Sequence, residues 1–466
     1  MRARFLEFWD SLQSSYWFVP SLMTLGALVL AFVLPVVDER VGPEWALEAS
    51  WFYANKPDGA RTLLSTVAGS MIGVAGVTFS VTIASVVYAS GQYGPRLLSN
   101  FMRDRGNQVT LGTFIATFLY GLLVLRTIRA GDESGTGELA EAAASFVPHL
   151  SILVALGLAL ASIAVLIYFI HHVPESIHVS NVIAGIGREL KAKVQTAFPG
   201  RMGEGGARAS GEVALPGGFV EEATPIEAHA TGYVQGIDAD GLFEVASAHG
   251  LVLRLRARPG DFVTEGDTVV LAWVPRRLDE DAASTIRGAF AYGRRRTPLQ
   301  DVRFLVNELV EIAARALSPG VNDPFTAQSC LDWLGAALKT AEGRDFPSEA
   351  RYDADGDLRL VANATTYAEL VEGAFGQLRP YVAADRNAAL HALKVLGDVA
   401  GRTAGAEARA VLRREAEGLV ASAEQQLVST SDIEAVRERL RVVAGVLAGN
   451  DYEARAAATD WLGGSA

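Results

Sequence analysis

Four long apolar segments occur within residues 1–175, and charged stretches separate them. The pattern predicts membrane spans at about residues 18–37, 63–93, 109–125 and 146–170. Because about 20 apolar residues are enough to cross a bilayer as an α-helix, each segment is long enough to span. The sequence therefore predicts a bundle of four transmembrane helices.

The second segment is unusual because small residues recur along one side of it. No charged residue occurs between Leu63 and Ser90. Small residues let helix backbones approach closely in lipid, and hydroxyl side chains can bond across such a contact. The same surface could also line a narrow pore, so both interpretations stay open. The candidates for helix packing or pore lining are Gly69, Ser70, Gly73, Gly76, Thr78, Ser80, Thr82 and Ala84.

The charges between the segments predict their orientation in the membrane. The loop at 91–107 contains three arginines, whereas the loops at 38–60 and 130–146 are acidic. Basic residues near the ends of spans favour the cytoplasmic side. Arg126 and Arg129, at the far end of the third span, oppose this assignment. On balance the sequence predicts a multi-pass protein of the bacterial plasma membrane with both termini in the cytoplasm.

Beyond the fourth segment the pattern changes to shorter elements. An amphipathic helix and a Gly-rich linker are predicted over 176–225, a small β-domain over 226–276 and a mainly helical domain over 277–466. Alternating strands and the Asp240-Gly241 pair predict a hairpin. The string RPGDFVTEGDTVV resembles the turn-strand-turn of small β-sandwich domains of the biotinyl-carrier kind, without the lysine that such carriers modify. The predicted fold is a membrane α-helical bundle plus a cytoplasmic α+β region with a β-sandwich-like domain and a C-terminal helical domain.

A second hairpin is predicted over 351–361, where the string RYDADGDLRLV contains three alternating aspartates. Such a run suggests calcium. An EF-hand loop needs glycine at position six and glutamate at position twelve, and these positions hold Leu358 and Ala364. The aspartates are therefore expected to form a turn.

Three histidines and a glutamate cluster where the fourth span ends: His171, His172, Glu175 and His178. Imidazole and carboxylate are metal ligands. The spacing matches no known ligand motif, so a structural or interfacial role is the main interpretation. A metal or proton-sensing site at His171, His172 and His178 is the weaker alternative.

A turn motif follows the first helix of the C-terminal region, in the string ALSPGVNDPFT. Pro319-Gly320 would end one helix, Asp323 would cap the next, and Pro324 suits the first helical position. A catalytic role for Ser318 would need a neighbouring base, and the nearest histidine in sequence, His391, belongs to another predicted helix. A ligand or subunit contact is the alternative to a structural turn. The candidate residues of this motif are Ser318, Asn322, Asp323 and Thr326.

Composition excludes several functional classes. The net charge of −12 over 466 residues argues against a nucleic-acid-binding protein. Cys330 is the one cysteine, which excludes an internal disulfide and a cysteine-based zinc site. We find no nucleotide loop, nucleophile-elbow string or metal signature, and therefore predict no enzymatic activity and no cofactor.

Two long strings resemble a known family. FSVTIASVVYASGQYGPRLLSNFMRD and RALSPGVNDPFTAQSCLDWL are similar to sequences in a family of predicted bacterial membrane proteins catalogued as a domain of unknown function. The resemblance covers nearly the whole chain. It implies a multi-pass membrane protein and brings no activity with it.

Three functional classes then compete. The first is a homo-oligomeric ion channel or pore with a cytoplasmic vestibule. The second is a membrane-anchored scaffold or sensor that binds an unidentified protein or ion through its helical domain. The third, an enzyme or transporter, is disfavoured because the centres of the spans hold no Asp, Glu, Lys or Arg. We therefore predict a channel-like homo-oligomer in the lipid bilayer, with the scaffold or sensor as the alternative.

Overall fold

The protein is described here by a computed structural model. The described residues are 15–41, 57–94, 104–129, 146–197, 215–274, 278–344, 346 and 348–449. They form two compact units, a membrane unit from Asp10 to His178 and a second unit from Val179 onward. The arginines at 96 and 103, most of both acidic loops and most of the Gly-rich linker lie outside the described residues.

Within the described residues, four helices are long and apolar enough to cross a membrane, which confirms the predicted spans. Helix α2 has 37 residues. At 1.5 Å per residue it is about 55 Å long, well over the roughly 30 Å of a hydrocarbon core. The four helices are α1 (Phe18–Val41), α2 (Pro57–Tyr93), α3 (Arg105–Leu125) and α4 (His149–Ile177).

Helix α3 lies at the centre of the membrane unit. It packs against α1, α2 and α4 and is the most buried of the four. Two glycines allow this: a Cβ at Gly112 would lie 2.6 Å from the sulfur of Met23, and one at Gly121 would lie 3.5 Å from Cβ of Ala68. Within one chain the centre of the bundle is therefore α3 and not α2, and buried alanines of α2 such as Ala68 pack against it.

A buried carboxylate holds one end of this unit together. Asp38, in the last turn of α1, is 7% exposed. It accepts hydrogen bonds from the backbone N–H groups of Leu150 (2.8 Å) and Ser151 (2.9 Å) and from the Ser151 hydroxyl (2.7 Å). The Tyr120 hydroxyl donates to the carbonyl of Ser151 at 3.0 Å. Asp38 thus caps α4 from another helix, where an acceptor and a negative charge are both favourable.

The second unit combines helices with two sheets. Its first helix, α5, is the predicted amphipathic helix, and it buries an apolar face that includes Ile186 and Leu190. The helices are α5 (Val179–Ala197), α6 (Phe219–Glu222), α7 (Ala239–His249), α8 (Glu280–Gly288), α9 (Val302–Ala316), α10 (Pro324–Ala341), α11 (Tyr367–Val371), α12 (Arg379–Val382), α13 (Arg386–Ala400), α14 (Ala406–Gln426) and α15 (Thr430–Leu447). A π-helical turn at Glu372–Gly376 follows α11.

The described strands form a five-stranded sheet in the order β1-β5-β3-β8-β7 and a three-stranded sheet in the order β4-β2-β6. Neighbours are antiparallel except β3 and β8, which are parallel. The strands are β1 (Thr224–Glu227), β2 (Gly232–Ile237), β3 (Val252–Leu255), β4 (Phe262–Val263), β5 (Thr268–Trp273), β6 (Phe290–Gly293), β7 (Ala350–Tyr352) and β8 (Leu358–Val361).

These sheets correct two expectations. The larger sheet extends beyond 226–276, because the hairpin of β7 and β8, which was predicted separately within the mainly helical domain, joins it. The hairpin predicted at Asp240-Gly241 is wrong, since both residues lie in the first turn of α7. Asp238 begins that helix by accepting a hydrogen bond from the N–H of Gly241 at 3.1 Å, and Gly250, with φ of +63°, ends it. Local capping outweighs the turn preference of the dipeptide.

The hairpin predicted over 351–361 is confirmed, with β7 and β8 paired antiparallel. Its aspartates form a turn. Asp353 accepts hydrogen bonds from the N–H groups of Asp355 (3.1 Å) and Asp357 (2.9 Å) and from the guanidinium of Arg359 (2.6 Å). The bond from Arg359 is the main reason that the pKa of Asp353 is lowered.

Candidate functional site

The candidate residues of α2 lie on two sides of the helix. Thr78 and Thr82 are each 2% exposed and belong to the interior of the membrane unit. A Cβ built at Gly69, Gly73 or Gly76 would have no neighbouring atom within 4 Å. Among the residues that the structure describes, these glycines therefore pack against no neighbouring atom. The exposed candidates, called the small face of α2 below, are Gly69, Ser70, Gly73, Gly76, Ser80 and Ala84.

Hydroxyl groups on this face are satisfied by their own helix. The Ser70 hydroxyl donates to the carbonyl of Thr66 at 2.7 Å, and the Ser80 hydroxyl donates to the carbonyl of Gly76 at 2.9 Å. Such back-bonding removes the cost of an unpaired donor in an apolar environment. The small face can thus meet lipid, another helix or a narrow water-filled passage.

The small face also borders an apolar groove between α2 and α4. The groove has a volume of about 720 Å³. Gly69, Gly73 and Val77 line it from α2, and Phe169 and Ile170 line it from α4. The absence of side chains on the two glycines widens the groove toward the α2 backbone.

A buried polar seam on α3 was missed by the sequence analysis. The hydroxyls of Thr110 and Thr113 donate to carbonyls of their own helix, and Thr117 and Ser162 share a hydrogen bond of 3.1 Å that joins α3 to α4. Hydrogen bonds between helices help to hold a membrane bundle together. The signal was present, because polar residues recur three or four positions apart along the third span. The seam consists of Asn107, Gln108, Thr110, Thr113 and Thr117.

The histidines near the end of α4 contact different partners. His172 lies 2.7 Å from a carboxylate oxygen of Asp104 and stacks on Tyr168 with ring centres 4.9 Å apart. Asp104 also caps α3 by accepting from the N–H of Gly106 at 2.8 Å. This group ties the start of α3 to the end of α4.

The other two histidines lie apart from this contact. His171 forms an exposed pair with Glu175 at 3.4 Å, and His178 is the residue at which α4 ends. No group of three or more His, Cys, Asp or Glu side chains that could hold a metal ion occurs among the described residues. The three histidine candidates are thus not brought together around one point.

The turn motif at 318–326 is confirmed as a helix junction. The Ser318 hydroxyl donates to the carbonyl of Arg315 at 2.6 Å. Asp323 caps α10 by accepting from the N–H (3.1 Å) and the hydroxyl (2.6 Å) of Thr326. Asn322 has a positive φ of +51°, which asparagine tolerates better than most residues. The N–H of Asn322 donates to the carbonyl of Ser318 at 2.9 Å, so each of the four candidate residues has a structural role in the junction.

Among the described residues, no histidine or carboxylate pairs with the Ser318 hydroxyl. His391 pairs with Asp332 at 2.8 Å rather than with Ser318. Cys330 is buried, and burial raises the pKa of its thiol above the usual value, which disfavours the reactive thiolate. Val321 and Phe325, by contrast, are 49% and 74% exposed. The junction therefore presents an apolar surface.

Comparison with known proteins agrees with the membrane architecture. A family model described as "Predicted membrane protein (DUF2254)" matches residues 13–398. The Uncharacterized protein Rv1290c of Mycobacterium tuberculosis is 30% identical over 427 residues, covering 91% of this chain and 79% of its own length. The Uncharacterized protein Mb1321c of Mycobacterium bovis matches with the same identity and coverage. No solved structure matches the chain.

Proposed function

The chain belongs to the DUF2254 family of predicted membrane proteins, and from this premise we propose that it is a homo-oligomeric, channel-like protein whose copies meet around the small face of α2. The proposal rests on one observation: among the described residues, a Cβ at Gly69, Gly73 or Gly76 would have no neighbour within 4 Å. Glycine in a helix interior costs about 1 kcal/mol relative to alanine. The small face keeps three such glycines although no described residue packs against them. Close approach of another copy, or a pore, would explain why they are present.

The chemistry of the small face supports a passive pore. It has no charged side chain between Leu63 and Ser90, so it would not trap an ion. Its serine hydroxyls donate to the helix backbone, which leaves their oxygen lone pairs available to a passing cation. The proposal assigns no catalytic role to the chain.

A leucine in place of Gly73 tests this role of the small face. If copies of the chain pack against each other at the small face, Gly73→Leu should break up the oligomer. If the small face lines a pore, the oligomer should survive, and ion flux into liposomes should fall at least about tenfold because leucine blocks the passage. Gly157→Leu is the matched control, since Gly157 is also exposed, lies on α4 and has no neighbour within 4 Å of its Cβ position. Size-exclusion chromatography with light scattering and a liposome flux assay measure the two outcomes.

A second substitution separates pore lining from packing. Ser80→Asp places a carboxylate on the exposed small face and should shift selectivity toward cations if that face lines a pore. Thr78→Asp is unsuitable for this purpose, because Thr78 is buried inside the membrane unit. A wild-type oligomer that carries no flux in liposomes would exclude the channel, and a wild-type monomer would exclude the whole proposal.

Orientation is part of the same proposal: both termini face the cytoplasm of a bacterial cell, and the acidic loops face outward. Cysteine at Glu138, which lies outside the described residues, should react with a membrane-impermeant thiol reagent added to intact cells, whereas cysteine at Gly217 should not. The native Cys330 is buried and gives little background. The reverse labelling pattern would refute the orientation.

A membrane-anchored scaffold or sensor remains a second candidate because of the exposed apolar tip at Val321 and Phe325. An exposed phenylalanine beside a rigid turn suits a contact with a cytoplasmic protein. The flux assay distinguishes the two candidates, since a scaffold needs no conducting oligomer.

A further inference from the structure

A cleft in the second unit is lined by arginines from separate parts of the chain. Its volume is about 510 Å³, which falls within the usual size of small-molecule sites, roughly 300–1,000 Å³. It lies between the RPGD turn at 258–261, the start of α9 and the π-helical turn. The arginines that line it are Arg258, Arg296, Arg303 and Arg414.

Two of these arginines are fixed by one buried carboxylate. Asp301, which is 3% exposed, accepts hydrogen bonds from Nε of Arg296 at 3.1 Å and from Nε of Arg303 at 3.2 Å. Nη2 of Arg303 also donates to the carbonyl of Pro259 at 2.8 Å. Within the described part of the chain, the Nη1 group of neither arginine donates a hydrogen bond. Both guanidinium groups are thus held in place while keeping donors available to the cleft.

The other two arginines differ in their contacts. Nη1 of Arg258 donates to both carboxylate oxygens of Glu369, at 2.9 and 3.0 Å. That carboxylate shows where an anion can sit in this cleft. Arg414 is exposed, and among the described residues it has no ion pair or hydrogen-bond partner. If the four arginines served only to join the sheets to the helices, we would expect fewer of their N–H groups to lack a hydrogen-bond acceptor.

The lining of the cleft is also partly apolar and irregular. Ala368, which is half-buried, lines it, and Gly373 of the π-helical turn adds backbone without a side chain. Single π-helical turns are rare and occur frequently at functional sites. The cleft therefore offers an apolar surface beside its cationic one.

We propose that this cleft binds a small molecule that carries a phosphate group. The phosphate would accept hydrogen bonds from Arg296, Arg303 and Arg414, and an organic body would lie against Ala368 and Gly373. Guanidinium groups match phosphate oxygens in geometry and charge. Three guanidinium groups that line one cleft suit the three oxygens of a terminal phosphate better than the two of a carboxylate. The site is independent of the small face of α2, so it stands whether or not the protein conducts ions.

Titration calorimetry on the full chain in detergent tests the cleft. The probes are inorganic phosphate, pyrophosphate and adenosine monophosphate, at constant ionic strength, with sulfate as the reference divalent anion. Saturable binding of adenosine monophosphate stronger than that of phosphate supports an organic phosphate as the ligand. Binding of pyrophosphate or phosphate alone supports a free phosphate ion. No saturable binding of any of the three, or equal binding of sulfate, overturns the proposal.

Two adjacent arginines provide a matched pair of variants. Arg414→Gln should raise the dissociation constant about tenfold through loss of a charge-assisted hydrogen bond. Arg413→Gln should leave it unchanged, because Arg413 is equally exposed on α14 but does not line the cleft. Equal losses in both variants would indicate general surface attraction and overturn the site.

A third variant should act in the opposite direction. Glu369→Gln removes the negative charge that competes for Arg258, and glutamine can keep the capping contact with Thr366 at the start of α11. We expect phosphate to bind several-fold more tightly to this variant. Weaker binding, with an unchanged melting temperature, would contradict an anion site at this position.

Discussion

Replacing Asp38 by alanine is expected to lower the free energy of unfolding of the membrane unit by about 3–5 kcal/mol. The carboxylate accepts three hydrogen bonds from Leu150 and Ser151. Alanine would leave the first N–H groups of α4 without an acceptor in a buried place, and it would remove the negative charge from a helix N-terminus. At this size of unit the melting temperature should fall by about 10 °C.

Glu39 is the natural control for this substitution. It is the next residue along α1 and also a carboxylate, but it is exposed. Glu39→Ala should change the melting temperature of the detergent-solubilised chain by no more than about 2 °C, as expected for a surface position. Similar melting temperatures for the two variants would show that Asp38 does not hold α4.

Replacing Gly260 by alanine should destabilise the second unit by about 3–4 kcal/mol. The residue has φ of +93°, and a Cβ there would lie 2.1 Å from a carboxylate oxygen of Asp301. Asp301 would have to move, and with it the two arginines that it fixes, so the phosphate affinity of the cleft should fall with the stability.

Gly266→Ala is the control that measures the backbone strain without the clash. Its φ is +92°, almost the same as that of Gly260, and a Cβ there would have no neighbour within 4 Å. Gly266→Ala should therefore cost only the strain, about 1 kcal/mol. Denaturant unfolding of the full chain measures both variants, and equal losses would show that Asp301 tolerates the extra methyl group.

Local signals made part of this structure predictable. The four spans follow from length and hydropathy alone, and the cap at Asp323 and the hairpin at 351–361 depend on residues a few positions apart. The cap at Asp38 was not predictable, because its partners lie 112 and 113 residues further along the chain. The arginine cleft was missed for the same reason, since Arg258 and Glu369 are 111 residues apart.

The error at Asp240-Gly241 is of another kind. The dipeptide favours a turn, but Asp238 two residues earlier supplies a helix cap, and the two signals compete over the same residues. The position of α3 at the bundle centre could also have been predicted from the sequence, because its threonines recur at helical spacing. The glycine pattern favours α2 instead, because that helix contains five glycines and α3 contains three.

The parallel pairing of β3 with β8 has a consequence for synthesis of the protein. Leu253 pairs with Leu360 across that contact, so β3 stays an open edge until the ribosome has made about a hundred further residues. Open strand edges are templates for pairing with other chains. The nascent second unit is therefore most exposed to aggregation after β5 has formed and before β8 emerges, and a fragment that ended at residue 276 would keep that edge open permanently.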